Sequence, residues 1–136
     1  MNKTLHKTAL LAATLMALAA CQNVPLQNID DAPIHMAKHH YGLGDVEKAI
    51  VRAGTSLGWQ MRTVKPGLID AKLYAEDQVA EVSIGYSTSL YSIKYLNSQN
   101  MNYQAKAGKP VIIYEDYNQW VQELDKAIRK ELLGQP

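Results

Sequence analysis

The sequence predicts an α+β fold, a two-layer sandwich in which a helix, a four-stranded antiparallel meander and a second helix follow one another, with both helices on one face of the sheet. Three observations predict it. Apolar residues recur with a helical period after residue 45, the period falls to two from residue 59 to residue 96, and it returns to 3.6 after residue 116.

In the first helix Val46, Ala49, Ile50, Ala53 and Leu57 share one face, with Asp45 expected as the N-cap and Gly58 just past the end. Gly54 lies inside it at a cost of roughly 1 kcal/mol relative to alanine. The first hairpin then turns at Pro66-Gly67, where Pro followed by Gly suits a type II turn. Its second strand sets Ile69, Ala71 and Leu73 against Asp70, Lys72 and Tyr74. In the third strand Ala80, Val82, Ile84 and Tyr86 alternate with Glu81, Ser83 and Gly85. The fourth places Tyr91, Ile93 and Tyr95 opposite Ser92, Lys94 and Leu96. One face of this meander is apolar and the other mainly polar, the pattern of a sheet covered on one side.

Residues 97–110 lose all periodicity, a long loop for a compact domain, with Met101 and Tyr103 available to pin it. Val111-Ile112-Ile113 offers one more short strand. The last helix carries Tyr117, Trp120, Val121, Leu124, Ala127, Ile128 and Leu132 as its apolar stripe, with Gln122, Asp125, Lys126 and Arg129 facing away. Asp116 and Gln119 have the spacing of a capping box, and Gly134 and Pro136 close the helix.

The 136 residues carry 14 Lys+Arg and 13 Asp+Glu, which leaves no basic excess for non-specific nucleic-acid binding. A single cysteine excludes an intrachain disulfide. Gly-x-Ser-x-Gly, His-Glu-x-x-His and a phosphate-cradling glycine loop are all missing from the sequence, so no enzyme and no cofactor is expected. His35 and His39 have i,i+4 spacing and are the candidate metal pair, with Asp30 or Asp31 as further ligands. A solvated segment is the preferred reading, because no complete ligand set is visible. The polar sheet face, with Arg62, Asp70, Lys72, Glu81 and Lys94, reads either as a solvated surface or as a docking face.

The N-terminus has a different character. Lys3, His6 and Lys7 precede an uncharged apolar run over residues 8–20, the layout of a secretory signal and shorter than the ~20 residues of a spanning helix. Without residues 1–20, 12 basic and 13 acidic groups remain, a formal charge of −1. The run ends in Leu18-Ala19-Ala20-Cys21, which resembles the lipobox of bacterial lipoproteins. The resemblance implies cleavage before Cys21, acylation of its thiol and new amino group, and, with Gln22 following, an anchor in the outer membrane facing the periplasm. Residues 21–41 are then a lipidated N-terminus and tether, and residues 42–136 the single folded domain. The motifs Leu57-Gly58-Trp59, Pro66-Gly67, Ile84-Gly85-Tyr86, Tyr91-Ser92-Ile93-Lys94-Tyr95, Asn97-Ser98 and Tyr117-Asn118-Gln119-Trp120-Val121 resemble small proteobacterial envelope lipoproteins, from which no activity carries over. A histidine that often precedes the last motif in that group is replaced here by Ile113-Tyr114. The function these features imply is a non-enzymatic envelope module that binds or scaffolds a protein, the alternative being a carrier or sensor of a small ligand or metal.

Overall fold

The computed structural model describes residues 22–134, so the signal segment, Cys21 and Pro136 lie outside the described residues. The chain forms β1 (Asn23–Pro25), β2 (Ile29–Pro33), α1 (Leu43–Ser56), β3 (Gln60–Lys65), β4 (Leu68–Ala75), β5 (Gln78–Tyr86), β6 (Leu90–Gln99), β7 (Ile112–Tyr114) and α2 (Glu115–Leu133). The fold is α+β. The expected meander is present as β3 to β6, but the sheet has five strands, in the order β2-β6-β5-β4-β3, all antiparallel. A separate two-stranded ribbon joins β1 to β7.

Local chemistry explains most boundaries. Helix α1 starts earlier than expected, with Gly42 as N-cap, and Asp45 acts from inside the first turn by accepting the Gly42 N–H at 2.9 Å. That bond, reinforced by Lys38 at 2.9 Å, holds the Asp45 carboxyl below its usual range. At the other end Gly58 takes φ +87°, while Gly58 N–H donates to Thr55 and Trp59 N–H to Gly54, a Schellman closure. Gly54 itself makes room for a neighbour, since a Cβ there would meet Met61 Sδ at 2.2 Å. Gly67 also has φ +87°, as the type II turn at Pro66-Gly67 requires. Helix α2 begins at Glu115, so Asp116 sits in its first turn and the expected Asp116–Gln119 box does not form the cap.

A single core contains Val46, Ile50 and Ala53 of α1, Tyr117, Leu124 and Ile128 of α2, and Ile69, Val82, Ile84 and Ile93 of the sheet. Strand β6 runs on to Gln99, so the loop expected from residue 97 begins at Asn100; Met101 is buried in the core and Tyr103 stacks on Tyr95 with centroids 4.3 Å apart, which pins it.

Two further expectations are corrected. Asp125 does not face solvent: it is nearly buried, accepts the Tyr91 hydroxyl at 2.5 Å and pairs with Arg129 at 3.1 Å. A carboxylate on the edge of the apolar stripe is legitimate here because both acceptor oxygens are occupied.

The larger correction concerns residues 22–33, which fall inside the tether expected over residues 21–41. Asn23 is in register with Tyr114, Ile29 with Ile93 and Ala32 with Tyr91, and Ala32 and Ile34 are buried. Asn118, in the second turn of α2, grips this segment by accepting the Gln27 N–H and donating to the Pro25 carbonyl, both at 2.9 Å. Asn28 Oδ1 accepts the Tyr95 N–H at 3.0 Å. Strands of three and five residues with a bulge show no sustained alternation, which is why their sequence reads as irregular.

Replacing Asn118 with alanine leaves the Gln27 N–H and Pro25 carbonyl without this partner, a loss of roughly 1–3 kcal/mol. Urea denaturation measures the loss, and amide exchange over residues 23–33 should accelerate more than exchange in β4 and β5. Uniform exchange in the variant would contradict the clamp.

A second expectation follows from Tyr91 and Tyr117. Burial raises the pKa of both hydroxyls above the ordinary tyrosine value, with the Asp125 bond adding to the shift at Tyr91. The unfolded chain releases these protons near pH ~10 while the folded chain retains them, so stability is fully present below that pH and falls above it. No described residue offers the Tyr117 hydroxyl a hydrogen bond. Tyr117→Phe should therefore be close to neutral at pH 7, whereas Tyr91→Phe costs about 1–3 kcal/mol, and each flattens the alkaline decline. Thermal unfolding between pH 7 and 11 reads both effects.

Candidate functional site

Helices α1 and α2 share the core with one sheet face and leave the other uncovered, and strand register arranges that outer face in rows. The row nearest the β4–β5 turn holds Tyr74, Val79 and Gln99. Next come Gln60, Lys72, Glu81 and Asn97, then Arg62, Asp70, Ser83 and Lys94. The last row contains Leu68, Gly85 and Ser92, with the Ser92 hydroxyl accepting the Asp31 N–H at 2.9 Å.

All five expected face residues, Arg62, Asp70, Lys72, Glu81 and Lys94, therefore lie on one surface, and two pairs form. Arg62 reaches Asp70 at 2.8 Å, while Lys72 pairs with Glu81 across β4 and β5. The Glu81 partner holds the Lys72 ammonium above its usual pKa. Lys94 makes no ion pair among the described residues and lies opposite Ser83.

The pairs are asymmetric in depth. The Arg62 side chain is 70% exposed against 25% for Asp70, and Lys72 is 38% exposed against 18% for Glu81. The carboxylates lie close to the sheet and the cationic heads project beyond them. Exposed Leu96 and Tyr74 add apolar surface, and a β-bulge opposite Glu81 and Val82 interrupts the register of β6 beside Leu96. A shallow depression of about 400 Å³ is lined by Arg62, Lys72, Glu81 and Leu96 among others. A second, of about 490 Å³, is lined by Leu68, Ser83, Gly85, Leu90, Ser92 and Lys94 among others. Alternation alone assigns these residues to the outer face. The difference in projection depends on side-chain length and packing, which periodicity does not encode.

The histidines fare differently. Residues 34–42 form bends and irregular chain, so the helical i,i+4 geometry expected for His35 and His39 is absent. Both are exposed, and His35 borders a small groove with Pro33, Arg129, Leu132 and Leu133. Among the described residues no three His, Cys, Asp or Glu side chains converge on one point, Asp30 and Asp31 included. No helix among the described residues is long and apolar enough to cross a membrane.

Neither a protein-family model nor a curated protein matches this chain.

Proposed function

We propose that the protein is a non-enzymatic cell-envelope lipoprotein, anchored through Cys21 in the outer membrane on the periplasmic side, whose open sheet face docks an envelope protein with an acidic surface. The observation that carries the docking reading is the depth asymmetry of the face. Arg62, Lys72 and Lys94 present cationic heads above inward carboxylates, so an approaching acidic surface meets positive charge first. Leu96 and Tyr74 supply apolar contact beside those charges. A guanidinium and two ammonium groups spread over neighbouring rows suit several carboxylates of a protein surface better than a single small anion.

The anchoring part rests on the lipobox. Acyl chains contribute about 0.8 kcal/mol per buried CH₂, and two or more chains suffice for stable attachment.

Each part has its own measurement. Cys21→Ala should abolish acyl labelling and move the protein from the membrane fraction to the soluble one. Persistent membrane attachment would refute the anchor. In crosslinking from intact envelopes, Arg62→Glu combined with Lys94→Glu should remove the adduct formed by the wild-type chain while leaving thermal stability nearly unchanged. Undiminished adduct from the double variant would refute docking through this face.

A further inference from the structure

The correction at residues 22–33 has a geometric consequence for an anchored chain. The Gln22 carbonyl already accepts the Glu115 N–H at 3.0 Å, and Asn23 is in register with Tyr114. Only one peptide step, about 3.8 Å between Cα atoms, separates Gln22 from Cys21. No free chain of useful length lies between the lipidation position and the folded body.

The entry point also lies at a definite end of the molecule. Asn102 donates to Asn23 Oδ1 at 2.9 Å, and Asn100 donates to the Asp77 carbonyl at 2.7 Å. Gln22, residues 100–102 and the β4–β5 turn are therefore gathered at the end where β6 finishes. The start of β6 is far away: Leu90 is in register with Pro33, and the β5–β6 turn at residues 87–89 lies beyond it. Ten strand residues span about 30 Å.

We infer that the Gln22 end of the molecule, with Asp77, Asn100, Asn102 and Glu115, is held directly against the lipid headgroup surface, and that the sheet strands rise from it so that the β5–β6 turn is distal. This rests on the anchoring through Cys21 proposed above. The surface is a lipid headgroup layer met because of the short covalent link, since the exposed charges at this end, Asp77 and Glu115, are acidic and gain nothing from anionic lipid. Amide side chains at Asn23, Asn100 and Asn102 hydrogen-bond to one another and to backbone, which gives that end a fixed polar surface.

The test uses the full acylated chain in phosphatidylcholine vesicles containing a headgroup-nitroxide quencher. Acylation occupies Cys21, so an engineered thiol is the free one. Asp77→Cys and Thr88→Cys, each carrying the same fluorophore, sample the two ends. Quenching should be several-fold stronger at position 77 than at position 88. Inserting a Gly/Ser linker of about twelve residues between Cys21 and Gln22, with a mean reach of roughly 20 Å, should reduce the quenching at position 77 toward that at 88. Equal quenching at both positions in membrane-attached protein with the native link overturns the orientation. Recovery of native-sequence protein free of membrane and unacylated overturns the anchor itself, a result distinct from the first.

Discussion

The grip of Asn118 on the chain before β2 is the contact on which the arrangement of the rest depends. One side chain in α2 satisfies a backbone N–H and a backbone carbonyl 91 and 93 residues earlier in the chain. Closing a loop of that length carries an entropic cost that grows only slowly with its size, but it must be recovered from few contacts, since β1 has three residues and β2 has five. Buried Ile113 and Tyr117 flank the same region, so the clamp and the ribbon between β1 and β7 seal one end of the core. Without them the β2 edge of the sheet is held mainly by a strand interrupted by a bulge.

What could be read from the sequence was what repeats. Ile69 and Ala71, then Ala80, Val82, Ile84 and Tyr86, then Tyr91 and Ile93 all occupy the core as alternation requires, and the stripe from Tyr117 to Leu132 does so at helical spacing. The two larger failures have related causes. Residues 23–33 acquire their structure from partners at positions 90–93 and 111–114, and a short strand stabilised by remote pairing carries no local period. Asp125 fails for a related reason, because its burial is licensed by Tyr91 on a strand 34 residues away. The five residues of the polar face were legible as a surface. Their pairing became legible only with register, which sets Arg62 opposite Asp70 and Lys72 opposite Glu81.

That register also explains why the face is electrostatically directional although nearly balanced in charge. Each pair places a short carboxylate side chain beside a longer basic one on adjacent strands. The shorter partner stays near the pleat and the longer one reaches outward, folding its methylene stem over the sheet. The Lys72 head also lies over the Tyr74 ring, with Nζ 5.8 Å from its centroid. Such exposed pairs contribute little to stability. Their effect is on the potential that an incoming surface meets.

The distance between this face and the end at which Gln22 enters decides what can meet it. Lys94 lies five residues back along β6 from Gln99, about 16 Å, and the Debye length at physiological ionic strength is about 8 Å. With the Gln22 end at a membrane, the potential of the headgroup layer is largely screened at the Arg62–Lys94 row. Under the proposed anchoring, lipid therefore does not neutralise the cationic heads of that row. They remain available to a macromolecule approaching from the side, as does Lys72 one row closer to the Gln22 end: Arg62 and Lys72 each keep an inward carboxylate partner, and Lys94 has no ion pair among the described residues. The proposed attachment without a tether and a docking face set back from it are consequently compatible: the first would fix the height of the second, and screening would separate their partners.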